Sequence, residues 1–229
     1  MYSERPSTYP GAVVWTNTPG GPGGVYPVLP DGCMDLLWSE GRLLVAGPDT
    51  KAYRPQGGTG RSVTGIRFAP GTAPELLGVP AHELLDRRVE LAGLWPAARV
   101  RRLAGRVAAA SDPRTGLEEL ARAAHSAPAD PALQYAVRRL GEGAAVAEIA
   151  DETGLGARAL HRRSLAAFGY GPKALARILR LQRALALARS GLPPADTAAA
   201  AGYADQPHLA RDVRDLAGMP LTALLGLDP

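Results

Sequence analysis

A chain of 229 residues is long enough for one or two domains with a real hydrophobic core. Its 46% hydrophobic and 21% charged residues exclude a disordered, collagen-like or polytopic membrane protein. The single cysteine, Cys33, excludes an internal disulfide framework, and residues 1–6 carry no secretory pattern, so a cytoplasmic protein without membrane contact is expected.

In chain order, residues 13–16, 25–26, 34–38, 43–46 and 63–68 read as short strands. Glu40-Gly41 is a turn signal joining two of them in a hairpin. Five or more such runs predict a small antiparallel barrel or sandwich. From Pro74 the pattern turns helical, with short turns at 75–77 and 81–85. Residues 96–110 form an amphipathic helix, with Val100, Leu103, Ala104 and Val107 on one face and Arg99, Arg102 and Arg106 on another. Further helices are expected at 117–124 and, after the Asp130-Pro131 start signal, at 132–140. From residue 131 onward the chain reads as all helix. The fold class is therefore α+β, in three parts: a β-rich putative sensing domain (1–92), a helical linker able to support dimerisation (93–130), and an all-α domain (131–229).

The net charge of +4 is unevenly spread: −1 over residues 1–95, +4 over 96–140 and +1 over 141–229. No Asp or Glu occurs between Glu152 and Asp196, a gap holding Arg158, Arg162, Arg163, Lys173, Arg177, Arg180, Arg183 and Arg189. Such a stretch is either a polyanion footprint or a solvated helix face.

An internal repeat in the last ninety or so residues speaks for the first reading. One copy runs Ala150-x3-Gly154-Leu155, Leu160-x-Arg162, Gly169 and Pro172. The other runs Ala198-x3-Gly202-Tyr203, Leu209-x-Arg211, Gly218 and Pro220. The small alanines suit a close helix crossing, and the glycines suit the left-handed residue that ends a helix. The leucines would anchor a second helix, giving two helix-turn-helix units.

With these residues, and with Phe168-Gly169-Tyr170-Gly171-Pro172 and Asp205-Gln206-Pro207-His208, residues 131–229 resemble the DNA-binding domain of AraC/XylS-type bacterial transcription regulators. Ser164 stands where such proteins usually place a packed aromatic, Thr197 replaces the usual Ile, and Pro220 follows Gly218 one residue early. The resemblance implies sequence-specific binding of double-stranded DNA. It also implies Arg158, His161 and Arg162 as base-reading positions on the first recognition helix. On the second, Gln206, Pro207, His208 and Arg211 face the groove, while Asp205 reads as an N-cap. Between the units, a helix over 172–190 buries Leu175, Ile178, Leu179, Leu185 and Ala186, and turns Lys173, Arg177 and Arg180 outward as phosphate contacts. Arg163 falls toward the packed side.

Regulators of this type usually couple DNA binding to a sensing or dimerising front domain, and residues 29–49 resemble a short β-barrel front domain of some of them. A small-molecule effector, RNA polymerase and a second copy of the chain are the further candidate partners. Trp15, Tyr26, Cys33, Trp38, Tyr53 and Phe68 are core residues that could also line an effector pocket. No cofactor, metal site or catalytic residue is expected, since residues 1–95 hold one histidine, His82, and residues 57–62 lack the lysine of a phosphate loop. Cys33 is either a thiol sensor or a small buried apolar residue. The alternatives are a Cys33-dependent thiol-transfer protein or small barrel enzyme targeted to DNA, and a purely architectural DNA binder.

Overall fold

The computed structural model describes residues 1–18, 27–55, 62–124 and 130–227. The N-terminal part holds strands β1 (Tyr2–Pro6), β2 (Ala12–Asn17), β3 (Met34–Ser39), β4 (Arg42–Ala46), β5 (Val63–Phe68) and β6 (Arg88–Glu90). They form one antiparallel sheet in the order β1-β2-β5-β3-β4-β6. The expected barrel or sandwich is thus an open sheet, with β1 and β6 at its edges. Helices cover the face that a second sheet would otherwise cover. The expected hairpin is present: Ser39 pairs with Arg42, and Glu40 and Gly41 both have positive φ (50° and 76°), as a two-residue turn matched to strand twist requires. The strand expected at 25–26 and most of the 57–62 turn lie outside the described residues.

After the short helix α1 (Ala73–Leu77), α2 (Ala97–Ala109) and α3 (Pro113–Ala124) make an antiparallel pair against the sheet. Val14, Met34, Leu36, Ile66 and Phe68 alternate onto one sheet face and share a core with Trp95, Val100, Val107, Leu117, Leu120 and Ala121. The apolar stripe of α2 is therefore packed inside its own domain, and residues 93–124 belong with the sheet. Glu118, only 2% exposed on α3, accepts two bonds from Arg5 at 3.0 Å, one from the Ser7 hydroxyl and one from the Thr8 N–H, tying the first strand to this helix.

The C-terminal part is α4 (Pro131–Glu142), α5 (Val146–Glu152), α6 (Ala157–Phe168), α7 (Pro172–Arg189), α8 (Pro194–Ala201), α9 (Gln206–Ala217) and α10 (Leu221–Leu225). Asp130 caps α4 by accepting from the Ala132 N–H, and Arg183 donates to the Gly141 and Glu142 carbonyls at its other end. Two cores flank α7: Leu175 and Ile178 enter one with α4–α6, while Leu181, Ala184 and Leu185 enter the other with α8–α10. The helix is buried on more than one side. Leu181 and Ala184 are buried, Leu179 is only half-buried, and Ala186, expected inside, is exposed.

Candidate nucleic-acid interface

Each repeat builds the same local unit. Ala150 and Ala198 are buried where α5 and α8 pack, and Gly154 and Gly202 turn the chain with φ of 65° and 84°. Leu160 and Leu209 are then fully buried at the base of α6 and α9. Ser164 is fully buried and Thr197 donates to the Leu192 carbonyl at 3.0 Å.

Arg158 and Arg162 lie exposed on α6, one helical turn apart. His161 is exposed too, but its ring lies over Gly171: a Cβ there would come within 2.6 Å of the imidazole. On α9, Gln206, Pro207 and Arg211 are exposed. Asp205 caps this helix by accepting from the His208 N–H at 2.6 Å. The His208 ring packs edge-on against Tyr203 with centroids 5.1 Å apart, so it is held within the unit. Arg163 pairs with Asp130 at 3.2 Å.

The three residues expected to touch phosphate do not behave alike. Lys173 is exposed at the start of α7. Arg177 is taken up by Asp212 and Asp215 of α9. Arg180 lies over the Tyr203 ring at 4.4 Å and 3.7 Å from Asp212. Asp212 is itself 6% exposed and also accepts from the Tyr203 hydroxyl at 2.9 Å. The basic face of α7 is thus largely the surface on which α9 is mounted. The helical spacing of the arginines gave no sign of this, because their partners lie more than twenty residues onward.

In the front domain the five described pocket candidates do not converge. Phe68 is core, edge-on to Tyr9 at 5.7 Å, and Trp38 is half-buried on the same side. Trp15 lies on the opposite face, seated on Gly65 and donating to Asp35 at 2.7 Å. Burial pushes the Asp35 carboxyl up to about 6 despite the neighbouring Arg67. Tyr53 is exposed beneath the Arg88 guanidinium, and Tyr26 lies outside the described residues. Burial, with Asp31 and Asp35 nearby, pushes the Cys33 thiol well up and so favours its protonated form. Among the described residues there is no metal-ligand cluster.

Sequence reasoning missed how the two parts meet. Gln134 donates to the Pro70 carbonyl, and Gln182 of α7 to the Pro30 carbonyl. The Ala52 N–H donates to Leu216 of α9 at 2.7 Å, and Lys51 reaches Asp215 at 3.5 Å. With the His82 ring 3.3 Å from the Leu165 carbonyl of α6, the front domain touches both units.

A family model described as a helix-turn-helix domain matches residues 133–226. The doubled unit of α5–α6 and α8–α9 lies inside that match. Together these support an AraC/XylS-type transcription regulator, the match itself covering residues 133–226. A domain of unknown function (DUF6597) matches residues 12–90. Among solved structures, a ToxT variant from Vibrio cholerae is similar over 96% of this chain and 98% of its own, at 11% identity and a TM-score of 0.51, which shows a shared fold. A probable AraC family regulator from Rhodopseudomonas palustris is 28% identical over 40% of this chain and 94% of its own, with a TM-score of 0.34. No curated protein matches the chain. No helix among the described residues is long and apolar enough to cross a membrane.

Proposed function

We propose that this regulator reads a specific operator in the cytoplasm with α6 and α9, through Arg158 and Arg162 on the first and Gln206 and Arg211 on the second. The observation that carries the reading is that both helices present exposed donors while their leucine faces are buried against α7. An arginine forks to guanine N7 and O6, which distinguishes bases, whereas Lys173 suits a phosphate. The 18 residues of α7 span about 27 Å, within reach of successive major-groove segments about 34 Å apart. The front domain receives a small-molecule effector in this reading. Its bonds to α7, α9 and α4, at Pro30, Ala52 and Pro70, give an effector the means to bias how α6 and α9 are presented.

Selection of bound fragments from random duplex DNA by the full chain tests this. Two short enriched blocks about one helical turn apart are expected, with affinity falling steeply with salt. An unenriched pool would leave an architectural binder instead.

A further inference from the structure

The helices α2 and α3 run antiparallel and meet most closely near their connecting turn, where a Cβ on Gly116 would stand 2.9 Å from the Val107 backbone. Farther along, the outer seam between them is not closed. Arg99, Arg102, Leu103 and Arg106 lie at helical intervals of three and four residues and so form one stripe of α2. They face Leu120, Ala123 and Ala124 of α3. The alanines are too short to fill the seam, and a groove of about 380 Å³ remains, within the size range of small-molecule sites.

This groove has an apolar floor of Leu103, Leu120 and the two alanines, and a cationic wall. Four arginines and no acidic residue lie on α2. The Arg99 guanidinium is held over the Trp95 ring at 4.1 Å. Arg106 reaches Glu119 only at the exposed rim, at 3.7 Å, and among the described residues Arg102 has no ion-pair partner. Guanidinium forks match a carboxylate's two oxygens.

We propose that this groove binds a small amphipathic organic anion, its apolar body on the floor and its carboxylate between Arg102 and Arg106. A DNA duplex would engage the arginines but has no use for the apolar floor. The site also lies just before the DNA-binding domain, since α3 ends at Ala124 and α4 begins at Pro131. The proposal names a site for the effector invoked above, and rests on that reading only for its consequence in DNA binding.

The test uses the full chain and the fluorescent anion 8-anilinonaphthalene-1-sulfonate, with octanoate as competitor. Saturable binding is expected, displaced by octanoate and weakened about tenfold in an Arg102→Gln/Arg106→Gln protein. The neutral N-phenyl-1-naphthylamine should bind parent and variant alike. Both arginines are exposed, and circular dichroism checks that the fold is kept. Ala123→Trp, which fills the floor without changing charge, should also abolish binding. Equal affinity of the anion for the parent and both variants, or no saturable binding, overturns the proposal. So does a double variant that loses duplex affinity while its dye titration stays unchanged. Dye binding that needs the arginines but leaves operator affinity unaltered keeps the site and removes only its effector role.

Discussion

The Arg177 guanidinium on α7 bonds the buried carboxylate of Asp212 on α9, and so fixes α9 to the helix against which α6 also packs. Asp212 is 6% exposed against 38% for Arg177, so the carboxylate depends on its partners for solvation. Arg180 at 3.7 Å and the Tyr203 hydroxyl at 2.9 Å remain when Arg177 is lost. Arg177→Ala is therefore expected to cost about 2 kcal/mol, less than a fully orphaned buried charge. Urea unfolding checks this. The salt dependence of DNA binding should stay as in the parent, and a slope smaller by about one unit at unchanged stability would make Arg177 a phosphate contact after all.

This pair also shows where the sequence stops speaking. The strands β2 to β5 were legible because turn residues bracket their apolar runs, and the Glu40-Gly41 hairpin followed from two residues. The edges β1 and β6 were not. One carries Glu4, Arg5 and Pro6 and the other is three residues long, and each is a strand only because a neighbour pairs with it. The repeat placed Leu160, Leu209 and the glycine turns directly. The outward face of α7 was misjudged because a helix gripped from two sides has no single apolar stripe, and because Asp212 and Asp215 approach from another element. The aromatic residues split between the two faces of the sheet because alternation assigns Trp15 and Phe68 opposite sides.

Ser164 tests how well α6 is seated. It is fully buried, its hydroxyl has no hydrogen-bond partner among the described residues, and an unsatisfied buried hydroxyl is costly. Ser164→Ala should therefore leave stability unchanged or raise it by about 1 kcal/mol. A loss of more than about 1 kcal/mol in thermal unfolding would mean that the hydroxyl is bonded in solution.

The dependence of stability on pH should carry the mark of Glu118. Burial alone would raise its pKa, but the bonds from Arg5, Thr8 and Ser7 prevail and hold it down to about 2. The folded chain thus binds this proton more weakly than the unfolded chain. The stabilisation is fully present above about pH 4.5 and is lost as pH falls toward 2. Asp35 acts in the opposite sense. Its carboxyl, raised to about 6 by burial, takes up a proton preferentially in the folded state, so acidification from 6 toward 4 adds stability. Unfolding midpoints should therefore fall mainly below about pH 4.5, and Glu118→Gln should flatten that limb. A variant whose acid limb matches the parent's would contradict the assignment.

The central claim is that α6 and α9 each read their own bases. Arg162→Ala and Arg211→Ala proteins, taken through selection from random duplexes beside the parent, test it most directly. A lost arginine–guanine fork removes roughly 1–3 kcal/mol of discrimination at its own base pair. Each variant should flatten preference at one or two positions, in a different block of the operator, with little change in affinity for random DNA. Identical preferences in the parent and both variants would contradict the account, as would loss at the same positions in both.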